Sequence, residues 1–242
     1  MRPPPGYDDR SAARIGGMDN SNYQVDSEAM RSGRARAGGK VLPILLVGLV
    51  FTLIGVVVAR QWLGPQADYL AASIYPETRA ITAFELVDGR GAAFTEEDLG
   101  GRISLLFFGF TNCPDICPDT LSVLAEALAK LDTMRVEPLP QVLFVSVDPE
   151  RDGGTTMQDY AAFFDPRFKA LTGTDPQLLG LTRQLGAMYV RQAPDEAGFY
   201  SVDHSGMIVI IDSAGRMLGR FRPGSDADSI AADLFQMVRA GV

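Results

Sequence analysis

The only two cysteines of the chain lie in one short segment, TNCPDICPDT (residues 111–120), with three residues between Cys113 and Cys117. The single histidine, His204, lies far downstream in YSVDHSGMIVIID. Two thiolates and one imidazole suit Cu(I) best, accept Cu(II) and can also hold zinc. A closed structural zinc site needs four Cys or His ligands, so these three residues predict an open metal site instead.

The same residues also allow interpretations that involve no metal. Cys113 and Cys117 can form a disulfide, because residues four apart in a helical turn lie within bridging distance. They can also act as a redox couple without any metal. His204 can be a hydrogen-bonded surface residue at the start of a strand, and the nearby acidic and aromatic residues then have purely structural roles. These residues are Asp148 and Asp203 at a strand end and a turn, and Phe107, Phe108 and Phe110 in the core.

The segments around the cysteines predict how they are positioned. RISLLFFGF (102–110) is a continuous apolar run, typical of a central strand covered on both faces. A helix opened by Pro118 follows, with leucines at helical spacing along one face. The N-terminus of a helix favours thiolate over thiol, and α/β sheets carry functional groups beyond the carboxyl ends of their strands. The sequence therefore predicts a positioned dithiol.

The remaining pattern alternates between strands and helices. GMIVIID (206–212) and RMLGRF (216–221), joined by Ser-Ala-Gly, predict a hairpin whose start can lie beside the cysteine loop. The order β–β–α–β–α–α–β–β–β–α predicts an α/β fold, a mixed sheet with helices on both faces, over residues 81–242. The other predicted strands are 81–88, 102–110, 141–148 and 187–191, and the other predicted helices are 155–164, 175–185 and 226–239.

The N-terminal part has a different character. The run VLPILLVGLVFTLIGVVVA (41–59) contains no charged residue, and as a helix it would rise about 28 Å, close to the thickness of a bilayer core. We therefore predict a transmembrane anchor over residues 41–60. A cleaved signal peptide is the alternative, although its apolar region is usually shorter. Residues 1–40, rich in Pro, Gly, Ser and Arg, predict a disordered tail, and residues 61–80 a tether.

Charges on either side of the apolar run predict its orientation. Four cations precede it and only Arg60 follows it closely; the four are Arg31, Arg34, Arg36 and Lys40. The positive-inside rule then places the N-terminus in the cytoplasm and residues 61–242 in the periplasm, as a single-pass protein of the inner membrane.

The charge balance excludes nucleic acid as a partner. Residues 61–242 contain 14 Lys and Arg against 25 Asp and Glu, a net charge of −11. Such an acidic region has no surplus of cations to neutralise phosphates.

Four segments together resemble the Sco/SenC family. They are FFGFTNCPDICPDTL, VSVDPERD, FKALTGT and VDHSGMIVIID, in this order and spacing, and the similarity extends over residues 81–242. The resemblance implies a thioredoxin-like fold and a copper metallochaperone that helps to assemble the binuclear copper centre of cytochrome c oxidase. It implies Cys113, Cys117 and His204 as ligands of Cu(I) or Cu(II), with Asp148 as a supporting group behind them.

The same resemblance implies the partners. They are the copper-site subunit of cytochrome c oxidase and a copper donor or other assembly factor. The sequence departs from thioredoxin in its CxxxC spacing and in lacking a proline after DHS. A thiol–disulfide reductase that keeps the oxidase's copper-site cysteines reduced stays the alternative function. A peroxidase-like role is the least supported, because the motif holds no activating cation.

Overall fold

The computed structural model of the chain describes residues 41–62 and 68–242, and within the first range it describes the side chains of residues 44–57. The chain divides into two units between residues 65 and 66. The described part of the first unit is helix α1 (Val41–Trp62), and its described side chains are exposed. The predicted disordered tail, residues 1–40, lies outside the described residues.

Helix α1 covers the predicted membrane span. Among the residues that the structure describes, however, no helix combines the length and the apolar character needed to cross a membrane. The transmembrane helix predicted over residues 41–60 is therefore not confirmed.

The second unit alternates strands and helices. Its helices are α2 (Ile116–Thr133), α3 (Thr155–Phe164), α4 (Asp175–Gln184) and α5 (Ala227–Ala240), with one 3-10 turn, Glu96–Leu99. Its strands are β1 (Ala72–Ala80), β2 (Glu85–Asp88), β3 (Ala93–Thr95), β4 (Ser104–Gly109), β5 (Gln141–Ser146), β6 (Lys169–Thr172), β7 (Tyr189–Arg191), β8 (Val202–His204), β9 (Ile208–Ile211) and β10 (Arg216–Phe221).

Eight of these strands form one mixed sheet in the order β1-β10-β9-β4-β5-β6-β2-β3. Strand β4 lies at its centre, parallel to β5 and antiparallel to β9. Every residue of β4 is buried, as its continuous apolar sequence predicts. Strands β7 and β8 form a separate antiparallel pair, in which Tyr189 lies opposite His204.

The core has two layers, one on each face of the large sheet. Leu105 and Phe107 of β4 pack with apolar residues of α2, α3 and α5 on one face. Leu106 and Phe108, which point the other way, pack with α4 and the 3-10 turn on the opposite face. The predicted mixed α/β architecture with helices on both faces is confirmed, because alternate residues of the central strands carry the two layers.

Several boundaries differ from the predicted ones. Ala72–Ala80, predicted as part of the tether, is strand β1 and pairs antiparallel with β10. Its sequence, ASIYPETRA, contains a proline and two charged residues, which is why it reads as a linker. The predicted strand 81–88 shrinks to Glu85–Asp88, and β6 was not predicted as a strand. AMYVR (187–191) contributes to the small sheet rather than the large one.

The start of the second unit is fixed by a buried carboxylate. Asp233 of α5 has no exposed surface, and its two oxygens accept hydrogen bonds from three consecutive backbone N–H groups. The donors are Leu70, Ala71 and Ala72, at N–O distances of 2.7, 2.9 and 2.8 Å. The chain therefore enters the sheet at a defined point, because the last of these donors, Ala72, is the first residue of β1.

Candidate metal centre

The loop that carries the cysteines connects β4 to α2. The backbone N–H of Cys113 donates to the carbonyl of Phe110 (3.2 Å), so the loop turns tightly as it leaves the sheet. Cys117 lies in the first turn of α2 and is fully buried, whereas Cys113 is half-buried. Both are free thiols, so the structure does not contain the disulfide that was one interpretation of the pair.

His204 is the last residue of β8. Its Nε2 atom lies 3.4 Å from the Sγ atom of Cys117, and its Nδ1 atom lies 3.3 Å from the carbonyl oxygen of Ser205. In the tautomer with its proton on Nδ1, that N–H donates to the carbonyl and leaves the Nε2 lone pair facing the thiol. The rings of Phe107 and Phe110 meet the imidazole edge-on at 5.8 and 5.9 Å, which holds its plane.

The structure brings the three predicted residues together. The two sulfur atoms and one imidazole nitrogen of Cys113, Cys117 and His204 all lie within 4.8 Å of one another. This separation suits three donors around one ion. Two thiolates and an imidazole leave a fourth position of a tetrahedral ion free, and they favour copper over hard cations such as magnesium.

Burial controls the protonation of the metal-free site. Removal from water raises the pKa of the Cys117 thiol far above its usual range, which outweighs the opposing hydrogen bond from the Phe110 backbone. Burial also lowers the pKa of His204. The expectation that the helix N-terminus would favour the Cys117 thiolate is therefore wrong for the metal-free chain. A metal must displace the Cys117 proton, whereas the imidazole is already neutral and ready to bind.

Neither of the two acidic residues considered from the sequence belongs to the group of possible ligand atoms. Asp148 is fully buried and pairs with Arg151 and the hydroxyl of Tyr200 (2.8 Å). Asp203 is exposed and accepts a hydrogen bond from the side chain of Gln192. Among the described residues, the only group of three or more possible ligands is the Cys–Cys–His set.

Gly109 is a functional residue that the sequence reasoning missed. A Cβ atom at this position would lie 2.8 Å from Sγ of Cys117 and 2.8 Å from the ring of Phe144. Real side chains do not approach so closely, so only glycine leaves room for the buried thiol. The one available signal was a glycine inside the otherwise bulky run LLFFGF.

A cleft of about 310 Å³ opens beside the cysteine loop. Ile116, which precedes Cys117, and Gly206, two residues after His204, both line it. The side chain of Ile116 is 38% exposed there. The cleft therefore borders the two segments that carry Cys117 and His204.

Comparison with known proteins shows the family of the chain. Residues 73–239 match the family model described as SCO1/SenC. The chain belongs to the SCO1/SenC family. A SCO2-like protein of Rickettsia felis is 34% identical to it over 184 residues, which cover 75% of this chain and 86% of the relative.

Solved Sco structures share the fold. ScoI of Arabidopsis thaliana with copper bound superposes with a TM-score of 0.61 at 31% identity, covering 66% of this chain and 98% of that one. ScoI of Bradyrhizobium japonicum with copper bound gives a TM-score of 0.59 at 32% identity, covering 65% and 99%. The mixed sheet and its helices therefore match the thioredoxin-like fold of Sco proteins.

Proposed function

We propose that this chain is a copper carrier that delivers copper to the binuclear copper centre of cytochrome c oxidase. Cys113, Cys117 and His204 are the proposed ligands. The observation that carries the proposal is the convergence of these three side chains, from the loop and helix that follow β4 and from the end of β8, to within 4.8 Å of one another. The copper bound in two Sco relatives of similar fold supports copper as the cargo.

The chemistry of the site suits a carrier rather than a permanent store. Three ligands hold Cu(I) or Cu(II) and leave a position for a ligand of the receiving protein. Copper then passes through a shared intermediate, without a free ion. The half-buried Cys113 is the ligand nearest solvent of the thiol pair, so it is the first one that an incoming partner would meet.

Membership of the SCO1/SenC family supports a proposal for the recipient and the source of the copper. The proposed partners are the copper-site subunit of cytochrome c oxidase and a copper donor or another assembly factor. The acidic balance of the second unit, 25 acidic against 14 basic residues over 61–242, suits partners with basic surfaces.

Helix α1 is the proposed anchor to the inner membrane, with residues 61–242 in the periplasm. The support is the uncharged sequence 41–59, the exposed side chains of residues 44–57 and the four preceding cations. A tethered donor searches only the membrane surface, which raises its effective concentration near an oxidase. Alkaline carbonate extraction checks this: a chain released into the soluble fraction has no such anchor.

A thiol–disulfide reductase is the second candidate function. The observation that favours it is that both thiols are free and lie within 4.8 Å of each other, so they can form and release a disulfide during exchange with a partner. This reaction needs the two cysteines but not His204.

One experiment separates the two functions. Oxidase activity at limiting copper is measured in cells that carry the wild type, His204→Ala, or a variant lacking both cysteines. A carrier requires all three ligands, so both variants should lose oxidase activity, and added copper should partly restore His204→Ala. Normal oxidase activity in His204→Ala, together with loss in the double-cysteine variant, would favour the reductase and contradict copper delivery.

A further inference from the structure

The turn Asp148–Asp152 lies behind the metal centre, directly after the end of β5. Its two aspartates are both fully buried, and the Asp152 N–H donates to the Asp148 carbonyl (2.9 Å), which closes the turn. Neither carboxylate is a member of the Cys–Cys–His group. Two buried charges so close together require specific partners, because an unpaired buried carboxylate is costly.

Asp152 holds the cysteine loop. One of its oxygens accepts the backbone N–H of Thr111 (2.7 Å) and the hydroxyl of Ser146 (2.6 Å), and the other accepts the hydroxyl of Thr111. Thr111 comes two residues before Cys113. The carboxylate therefore fixes the point at which the loop leaves the sheet.

Asp148 and Arg151 hold the other half of the site. Asp148 accepts the Tyr200 hydroxyl (2.8 Å) and pairs with Nε of Arg151. Nη1 of Arg151 donates to the carbonyl of Tyr200 (2.9 Å), and its guanidinium lies 3.7 Å from the centre of the Tyr200 ring. Tyr200 comes two residues before β8, the strand that ends at His204. Both the backbone and the ring of this residue are thus held by one arginine.

Arg151 also reaches the ring that touches the histidine. Its guanidinium lies 5.7 Å from the centre of the Phe110 ring, and Phe110 meets the His204 imidazole edge-on at 5.9 Å. The arginine therefore supports the histidine from two directions, through the strand that carries it and through an aromatic neighbour.

We propose that Arg151 is a positioning residue that holds the His204 arm against the thiol pair, so that the centre binds copper with three ligands instead of two. The fork geometry is central, because a guanidinium can bond Asp148 and the Tyr200 carbonyl at once while it stacks on the ring. This inference rests on the proposed copper site, and it assigns to the turn a role that the ligands alone do not explain.

The test uses the full, reduced, metal-free chain in detergent and four proteins: the wild type, Arg151→Met, Arg151→Lys and Arg167→Met. Arg167 is the matched control, since it also pairs with a largely buried aspartate, Asp165 (2.7 Å), but it contacts no residue of the site. The chain contains one histidine, so its imidazole NMR signals belong to His204 without ambiguity.

The first readout is independent of copper. The edge-on rings of Phe107 and Phe110 displace the His204 ring signals from the values of free histidine. Arg151→Met should move these signals towards the free values, and Arg167→Met should leave them in place. Arg151→Lys should behave like Arg151→Met, because an ammonium group cannot form both contacts of the fork. Wild-type signals in Arg151→Met, or full recovery in Arg151→Lys, would overturn the proposal.

The second readout is copper affinity. The dissociation constant for Cu(II) should rise about 10–100-fold in Arg151→Met, as is usual for loss of a group that orients a ligand. Cu(I) binding should stay at the wild-type level, because two thiolates suffice for it. Equal losses for Cu(I) and Cu(II) would mean that the whole site has collapsed, and they would contradict a role confined to His204.

Two further outcomes would separate the proposed copper site from the proposed role of Arg151. If the wild type binds no copper, the proposed function fails while the histidine signals still decide the role of Arg151. If Arg151→Met does not fold, Arg151→Lys takes its place, since it keeps a cation beside Asp148 but cannot also bond the Tyr200 carbonyl. Wild-type histidine signals and wild-type Cu(II) affinity in Arg151→Lys would then overturn the proposal.

Discussion

The Nε2 atom of His204 lies 3.4 Å from Sγ of Cys117, although the two residues are 87 positions apart in the chain. They come from different parts of the fold: Cys117 lies in the first turn of α2, which follows the central strand β4, and His204 ends the small β7–β8 pair. The metal centre therefore forms only when these two parts are assembled.

Removal of the imidazole should affect the two copper oxidation states differently. His204→Ala should weaken Cu(II) binding by more than the ~10–100-fold that loss of a supporting residue costs, because Cu(II) tolerates two soft donors alone poorly. Cu(I) should keep two-thiolate coordination. Competition titrations with a chelator for each oxidation state measure this. An unchanged Cu(II) affinity would show that His204 is a hydrogen-bonded residue and not a copper ligand.

Gly109→Ala should disturb the candidate site by crowding the Cys117 thiol. The new methyl group would lie 2.8 Å from Sγ of Cys117, so the thiol could not keep its present position. We expect weaker copper binding and a destabilisation of about 1–3 kcal/mol from overpacking. Gly180→Ala is the control, since a Cβ there meets nothing within 4 Å and the helix should gain stability. Wild-type copper affinity in Gly109→Ala would contradict the packing described here.

The two thiols should differ in reactivity. Burial raises the pKa of the Cys117 thiol and also shields it, whereas Cys113 is half-buried. In the reduced, metal-free chain, iodoacetamide should modify Cys113 before Cys117 at neutral pH. Peptide mass spectrometry at increasing times gives the order, and the difference should vanish in denaturant. Faster modification of Cys117 would show that it is not the protected thiol.

The three backbone hydrogen bonds that the Asp233 carboxylate accepts, here called the clasp, should contribute strongly to the stability of the fold. Asp233→Ala leaves three backbone N–H groups, from Leu70 to Ala72, without an acceptor. We expect a loss of about 2–4 kcal/mol in the free energy of unfolding, measured by urea denaturation. Asp228→Ala in the same helix removes an exposed partner of Lys130 and should change little. Equal effects of the two substitutions would contradict the clasp.

Acid stability should depend on the pair formed by Asp165 and Arg167. Hydrogen bonds from Arg167 lower the pKa of the Asp165 carboxyl below its usual value. A lowered native pKa adds stability above the pKa of the unfolded chain, and this is lost as the pH falls through the native value. Arg167→Met should therefore be less stable than the wild type at pH 7, and the difference should shrink below about pH 4. A difference that is constant down to acid pH would exclude this linkage.

Local patterns were sufficient for the elements that build the core. Three elements were predictable in this way: the strand before the cysteines, the helix Thr155–Phe164 and the strand Arg216–Phe221. Burial on one or both faces of such an element produces a characteristic spacing of apolar residues in the sequence. The members of the Cys–Cys–His group were predictable as well, since the chain contains only two cysteines and one histidine.

Features that depend on distant partners were not predictable. Strand β1 was missed because its stability comes from pairing with β10 and from Asp233, which lie more than 130 residues away. The raised pKa of the Cys117 thiol was missed because it depends on burial by several elements, which outweighs the local helix N-terminus. The link from Arg151 to Tyr200 also joins residues 49 positions apart, so no local pattern reveals it.

The edges of the large sheet have a further consequence for contacts between copies of the chain. Strand β1, at one edge, contains Pro76, and its register with β10 shifts between Ile74 and Arg79. Strand β3, at the other edge, is only three residues long. A proline, an irregular register and a short strand all make poor templates for a strand from another chain. Neighbouring copies can therefore crowd together without fusing their sheets into aggregates.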